Sequence, residues 1–99
     1  MPRKRTITFA ESAVKDLEAI HKWYVDQQGP AAGERLLREI IFQGERLADF
    51  PESGCIVPEF GIKNLREIIC SPFCIVYRID KSRVRIVRIW RGERQLKMP

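Results

Sequence analysis

Basic side chains are concentrated in the last nineteen residues of this 99-residue chain. The stretch has a net charge of +6, because Glu93 is its only acid, whereas the whole chain carries +5. Guanidinium groups form bidentate hydrogen bonds with carboxylates and phosphates. We therefore expect an acidic protein segment or a nucleic acid to bind to this stretch. A surface that only keeps the protein in solution, with arginine stems lying over apolar neighbours, is the alternative. The basic residues are Lys81, Arg83, Arg85, Arg88, Arg91, Arg94 and Lys97.

Other residue types with catalytic or ligand chemistry are few. The only histidine, His21, falls at the margin of the packing side of a predicted helix, where we expect a structural role. Cys70 and Cys74 lack the Cys-x-x-Cys spacing of redox and zinc sites, and we interpret them as structural thiols. Trp23 and Trp90 are expected to pack in a core or an interface. We therefore expect neither a cofactor nor a metal site.

The composition predicts a folded cytoplasmic protein. Hydrophobic residues make up 44% and charged residues 31% of the chain, which is typical of globular domains, and we expect residues 1–99 to form a single domain. No apolar run approaches the roughly 18 residues that a membrane span needs, and no apolar segment of the signal-peptide kind follows the basic start. Three cysteines without framework spacing favour a reducing compartment.

The first half of the chain predicts one short strand and two amphipathic helices. Thr8 is followed three residues later by Glu11, which is the pattern of a capping box at a helix start. Apolar residues then recur at helical spacing in two stretches separated by the breaker Gly29–Pro30. Gly44 within the second stretch costs about 1 kcal/mol relative to alanine, a cost that a close approach of the helix could offset. The predicted elements are a strand at 6–9, a helix from there to about residue 28 and a helix at 31–49, the two helices forming an antiparallel hairpin.

The second half predicts a sheet, because from Glu52 the apolar period becomes 2. Short turns between strands imply antiparallel pairing. The fold class is therefore α+β, with two layers in the order β-α-α-β-β-β, in which an N-terminal strand and a helical hairpin pack on an antiparallel sheet. The three predicted strands are 64–70, 73–80 and 83–90.

The alternation within the middle strand separates a core face from a face that we expect to be uncovered. The core face carries Phe73, Ile75, Tyr77 and Ile79. Arg78 points the other way, and the neighbouring strands are expected to bring Arg66 on one side and either Arg85 or Arg88 on the other. A slip of one residue exchanges the two faces of a strand, and the final strand is apolar on both faces, so both arginines remain candidates.

Four segments, taken in order, carry a resemblance to a known family. They are Ala13-x-x-Asp16-Leu17-x-x-Ile20 with Tyr24, Leu65-Arg66-Glu67-Ile68, Pro72-Phe73-x-Ile75-Val76-Tyr77-Arg78-Ile79 and Val84-x-Ile86-x-Arg88-Ile89-Trp90-x-Gly92-x-Arg94. Together they resemble the RelE/ParE toxins, which are the toxin halves of type II toxin–antitoxin pairs and whose family fold is a helical hairpin on an antiparallel sheet. The resemblance implies a co-encoded antitoxin partner whose acidic tail wraps the toxin.

Two branches of that family imply two different activities. RelE-like members cut mRNA on the ribosome without a metal, using basic residues and often a histidine or tyrosine near the C-terminus. Here Arg91 stands where relatives often have histidine, and residues 95–99 contain no tyrosine. Arginine keeps its proton and serves poorly as a base. We therefore prefer the ParE-like activity, which is binding of DNA gyrase, over ribosome-dependent mRNA cleavage and over a non-toxic nucleic-acid-binding module.

The resemblance and the strand pattern together assign the candidate site residues. For an RNase, the candidate catalytic residues are Arg66, Arg78, Arg88 and Arg94. For binding of the antitoxin or of the target, whether gyrase or ribosome and mRNA, the candidates are Arg66, Arg78, Arg85, Arg88, Trp90, Arg91 and Arg94.

Overall fold

The computed structural model describes residues 5–57 and 65–91 and confirms the predicted α+β fold. One strand was not predicted: β2 has only two residues, which is too short to show an alternating pattern. In the described part of the chain, no helix combines the length and hydrophobicity that crossing a bilayer requires. The elements are β1 (Thr6–Phe9), α1 (Glu11–Asp26), α2 (Pro30–Arg46), β2 (Cys55–Ile56), β3 (Leu65–Cys70), β4 (Phe73–Ile79) and β5 (Arg83–Arg91).

Both helices differ from the sequence prediction at their ends, and α2 runs from Pro30 to Arg46 rather than over residues 31–49. The predicted capping box is wrong, because Thr8 belongs to β1 and pairs with Arg85. The N-cap of α1 is Ala10, whose side chain makes no capping hydrogen bond. Helix α1 ends at Asp26 rather than at Gln28, whose positive φ of 61° is incompatible with a right-handed helix. Helix α2 includes Pro30 in its first turn, where the missing N–H of proline leaves no hydrogen bond unmade.

The sheet is mixed, with strand order β1-β5-β4-β3-β2. Strands β3, β4 and β5 form the predicted antiparallel meander, and β2 extends it antiparallel to β3. Strand β1, the predicted N-terminal strand, joins this antiparallel sheet at its edge by pairing in parallel with β5. The helical hairpin connects β1 to the rest of the sheet, and such a long crossover permits a parallel pair where a short turn would not.

The core lies between the hairpin and one face of the sheet. The predicted inward face of β4 is confirmed, since Phe73, Ile75 and Tyr77 are all buried in the core cluster and Ile79 packs against it. Gly44 allows the close approach that its position in α2 indicated: a Cβ atom there would lie 2.7 Å from Cδ1 of Ile86. The buried partners from the other elements are Ala13, Ile20, Ile40, Leu47, Val84, Ile86 and Ile89.

A hydrogen-bonded tyrosine fixes the segment that leads into β2. The Tyr77 side chain is fully buried, and its hydroxyl donates to the carbonyl of Pro51 at 2.8 Å while accepting from the Gly54 N–H at 3.0 Å. Burial raises the pKa of the Tyr77 phenol, although the Gly54 amide and the charge of Arg66 act in the opposite direction. The neutral phenol therefore satisfies two backbone groups that would otherwise lie at the end of the core.

Candidate functional site

A β-bulge decides which arginines share a face of the sheet. Arg78 is paired with Arg85 and Val76 with Arg88, so Val87 is an extra residue in β5. Because directly paired residues point to the same side of a sheet, both Arg85 and Arg88 lie on the side of Arg78. The sequence left open which of the two arginines shares a face with Arg78, and in the structure both do.

We call this side the arginine face and define it by Arg78, Arg85, Arg88 and Trp90. The register places Trp90 beside Cys74 and Arg88 beside Val76, so the four residues occupy three successive rows across the sheet. Arg91 is the last residue of β5, and Arg94 lies outside the described residues, so the roles assigned to these two stay predictions.

Arg66 does not belong to the arginine face, and its predicted position is wrong. In the β3–β4 register it is paired with Tyr77, whereas Leu65 is paired with Arg78. Arg66 therefore lies on the hairpin side, where its Nη1 donates to the carbonyl of Gly54 at 2.9 Å. The guanidinium group supports the segment before β2 and is not available to a partner on the other side.

At the centre of the arginine face, two short side chains are closed to solvent. Cys74 and Val76 are only 1% and 2% exposed. In the register, Val76 has Glu67 and Arg88 as its neighbours, and longer side chains beside a short one reduce its exposure. Burial, followed by the negative charge of Glu67, raises the pKa of the Cys74 thiol, as burial and Glu39 do for Cys70. Both thiols therefore stay protonated, as expected of structural cysteines.

Arg78 and Arg85 are exposed cations of the arginine face and, unlike Arg88, are not held by an acid of the described residues. They stand directly opposite each other on neighbouring strands, and in the described ranges neither forms an ion pair. Like charges in this relation destabilise a sheet. The pair therefore leaves two guanidinium groups side by side that a carboxylate or phosphate group would stabilise.

Arg88 is held by helix α1. Its Nε donates to Oδ2 of Asp16 at 2.8 Å and its Nη2 to Oδ1 at 3.2 Å, and the guanidinium lies 5.3 Å from the centre of the Trp90 ring. The hydrogen bonds that Arg88 donates to the Asp16 carboxylate raise the pKa of Arg88. Sequence analysis missed Asp16 as a site residue. The available signal was a polar residue bordering the apolar stripe of Ala13 and Leu17.

A groove of about 410 Å³ separates α1 from the end of β5. The two tryptophans line this groove and are absent from the core cluster, and Trp23 is 51% exposed. The groove is predominantly apolar, and its one ion pair is the Asp16–Arg88 contact. The lining residues are Asp16, Ala19, Ile20, Trp23, Phe73, Arg88, Ile89 and Trp90.

Neither the histidine nor a tyrosine of the chain lies on the arginine face, whereas Glu67, which is paired with Val76, lies on that side of the sheet. The chain has one histidine and two tyrosines. His21 is exposed on α1 rather than packed, and Tyr24, on the same helix, contacts the second helix beside Gly33. Tyr77 faces the hairpin. Within residues 5–57 and 65–91, no three histidine, cysteine or acidic side chains are grouped so that they could hold a metal ion.

Comparisons with known proteins agree with this architecture. Residues 7–96 match the family model of the ParE toxin of type II toxin–antitoxin system, parDE. Toxin RelE2 of Caulobacter vibrioides is 33% identical over 78 residues, which cover 78% of this chain and 83% of that protein.

Solved structures share the fold. A chain of a chromosomal ParDE toxin–antitoxin system from P. aeruginosa superposes with a TM-score of 0.73 at 24% identity, covering 89% of this chain and 96% of that one. A chain of the RelBE2 toxin–antitoxin complex of Mycobacterium tuberculosis gives 0.68 at 18% identity, with coverage of 89% and 98%. The family model spans most of the sequence, so this chain belongs to the ParE toxin family of type II toxin–antitoxin systems.

Proposed function

We propose that this toxin inhibits growth by binding DNA gyrase in the cytoplasm through its arginine face. The observation that carries the proposal is the separation of two exposed cations from the histidine and the tyrosines of the chain. Arg78 and Arg85 are exposed and opposite each other, whereas the histidine and both tyrosines belong to α1 or to the core side of the sheet. Such a surface suits recognition of a partner, which requires charge and shape but no proton transfer.

An acidic antitoxin segment is the proposed neutralising partner. The relatives include a chain from a structure described as the toxin–antitoxin complex RelBE2, which supports an antitoxin for this chain as well. Carboxylates placed opposite Arg78 and Arg85 would remove the repulsion between the two guanidinium groups. Antitoxin and gyrase would then compete for one surface, and neutralisation follows from occupancy of that surface.

Ribosome-dependent mRNA cleavage is the second candidate, and one observation favours it. The Arg78–Arg85 pair places two cations where they could stabilise the charge that develops on a phosphate during attack by a 2′-hydroxyl. The relative named RelE2 is consistent with this chemistry. Of the four predicted catalytic arginines, Arg66 faces the other side of the sheet and Arg88 is bound to Asp16, which weakens the candidate.

A supercoiling assay with purified gyrase and plasmid tests the proposal. The wild-type chain should block supercoiling and trap cleaved DNA. Arg78→Ala and Arg85→Ala should each weaken the effect about 10- to 100-fold, since a hydrogen bond to a charged group contributes about 1.5–3 kcal/mol. Arg38→Ala is the matched control, because Arg38 is exposed on α2 and pairs only with Glu34 at the surface. Unchanged supercoiling with the wild-type chain would refute the proposal.

Two further measurements separate the alternatives. Primer extension on translated mRNA should show no cuts that depend on the toxin. Cuts that disappear in Arg78→Ala would instead establish the ribonuclease. A plain nucleic-acid-binding module predicts that affinity for DNA falls steeply with salt, by about 0.9 log units per tenfold rise in salt for each phosphate neutralised. Weak binding to free DNA at moderate salt would exclude that module.

A further inference from the structure

Helix α1 supplies two side chains where β5 has no neighbouring strand. Strand β1 ends at Phe9, opposite Ile86, so the edge of β5 beyond this point is not paired with β1. Ser12 Oγ donates to the carbonyl of Val87 at 2.7 Å, and Asp16 Oδ2 accepts from the N–H of Ile89 at 2.8 Å. Ser12 and Asp16 are four residues apart and therefore lie on one side of the helix. Together they satisfy the backbone groups that a further strand would have bound.

These contacts flank the bulge that determines the composition of the arginine face. After Ile86, regular alternation would turn residue 88 towards the hairpin and residue 89 away from it. The extra residue Val87 reverses this order, so that Ile89 enters the core and Arg88 joins Arg85. The carbonyl of Val87 and the N–H of Ile89 lie on either side of Arg88, and both are bound by α1.

Asp16 also fixes the direction of the Arg88 side chain. One carboxylate oxygen receives both the Arg88 Nε and the Ile89 N–H, while the other receives Arg88 Nη2. The Asp16 side chain is only 17% exposed, compared with 44% for Arg88, so this is a half-buried, bidentate pair of the stronger kind. Arg88 is thereby held over Trp90.

We propose that Ser12 and Asp16 are positioning residues for the arginine face. They stabilise the bulge at Val87 and so place Arg88 and Trp90 on the side of Arg78 and Arg85, where the partner binds. Neither residue contacts the partner itself. The positioning of Arg88 and Trp90 is inferred from contacts within the chain. The effect of this positioning on gyrase binding rests on the proposed function above.

Amide hydrogen exchange and tryptophan quenching test the positioning step without any partner. In Asp16→Ala, the Ile89 amide should exchange at least about tenfold faster, because it loses a charge-assisted hydrogen bond. In a Trp23→Phe background, which leaves Trp90 as the only tryptophan, acrylamide should reach Trp90 more readily after the same change. Asp16→Asn retains an oxygen that can accept from Ile89 and should restore protection to within about threefold of wild type.

Two control variants separate the loss of the Asp16 contacts from a general loss of charge or stability. Asp26→Ala removes an acid of the same helix that pairs with Lys22 at the surface, and it should alter neither readout. Leu37→Ala weakens packing of α2 against the core, and it reports the effect of lower stability. If Asp16→Ala leaves both Ile89 exchange and Trp90 quenching unchanged, the positioning inference is overturned.

The gyrase assay then connects positioning to binding. Asp16→Ala and Ser12→Ala should weaken inhibition more than Leu37→Ala does at equal folded fraction, and Asp16→Asn should recover part of the loss. Equal weakening in Leu37→Ala and Asp16→Ala would overturn the role in binding. If the wild-type chain does not inhibit gyrase, the proposed function fails, whereas exchange and quenching still decide the positioning of Arg88 and Trp90.

Discussion

The hydroxyl group of Tyr77 offers the sharpest test of how the fold is held together. Replacing it in Tyr77→Phe leaves the buried ring in place and removes one oxygen atom that makes two hydrogen bonds. The Gly54 N–H is buried and loses its partner, which costs about 1–3 kcal/mol. Pro51 is half-buried, so water can replace the bond to its carbonyl at smaller cost. We expect the free energy of unfolding to fall by about 2–3 kcal/mol.

Urea denaturation followed by circular dichroism measures this loss. For a domain of this size, about 2–3 kcal/mol corresponds to a fall in melting temperature of roughly 10–20 °C. Tyr24→Phe is the matched control, because the structure records no hydrogen bond of the Tyr24 hydroxyl with the described residues. A Tyr77→Phe protein that unfolds within about 0.5 kcal/mol of wild type would refute the assigned role of the two bonds.

The same variant predicts a distinctive pH dependence. Burial raises the pKa of Tyr77 in the folded state above its unfolded value near 10. The stabilisation from the neutral phenol is therefore complete below pH 10 and is lost as the pH rises towards the folded pKa. The loss is about 1.4 kcal/mol per pH unit. The stability difference between wild type and Tyr77→Phe should shrink above pH 10, while other titrating groups affect both proteins alike. A constant difference from pH 8 to pH 11 would contradict the burial argument.

Three further predictions concern charge, close packing and the thiols. Arg85→Glu should raise the urea midpoint slightly, because it replaces repulsion of Arg78 by attraction. It should also abolish growth inhibition. A lower midpoint would contradict the repulsion assigned to the Arg78–Arg85 pair. Gly33→Ala should lower stability by about 1–3 kcal/mol, since the new Cβ would lie 2.7 Å from Cβ of Tyr24, and an unchanged midpoint would contradict the contact. Of the three cysteines, exposed Cys55 should react at once with a thiol reagent, whereas the two buried thiols should react only after urea is added. Rapid reaction of a second thiol in the folded protein would contradict this prediction.

The hairpin and the inward face of β4 were predictable because their periodicity is unambiguous. The apolar residues of β4 that enter the core alternate strictly with its other positions, and Arg78 identifies the outer side. Two amphipathic stretches separated by Gly29–Pro30 leave little choice other than a helical hairpin. The capping box failed for a different reason. Thr8 and Glu11 satisfy the local pattern, but strand pairing with β5 includes Thr8 and shifts the helix start.

The arginine face was only partly predictable, because β3 and β5 carry apolar residues on both sides. In β3, Leu65 and Ile69 alternate with Ile68 and Cys70, so either register could bury an apolar set, and Arg66 was assigned to the wrong side. In β5 the period itself changes at Val87. A bulge of this kind depends on hydrogen bonds from a distant helix, and no local pattern in residues 83–91 reveals it.

The parallel pairing of β1 with β5 has a consequence for the order in which the newborn chain can fold. Thr6 can pair only after Arg83, its partner 77 positions later in the sequence, has been synthesised. At about 5–20 residues per second, that delay amounts to roughly 4–15 s of translation. Throughout this interval the nascent polypeptide lacks the strand that separates β1 from β4, and Arg85 and Arg88 have not yet been synthesised. A partner that recognises the completed arginine face therefore has nothing to bind until synthesis reaches β5 and that strand has left the ribosome.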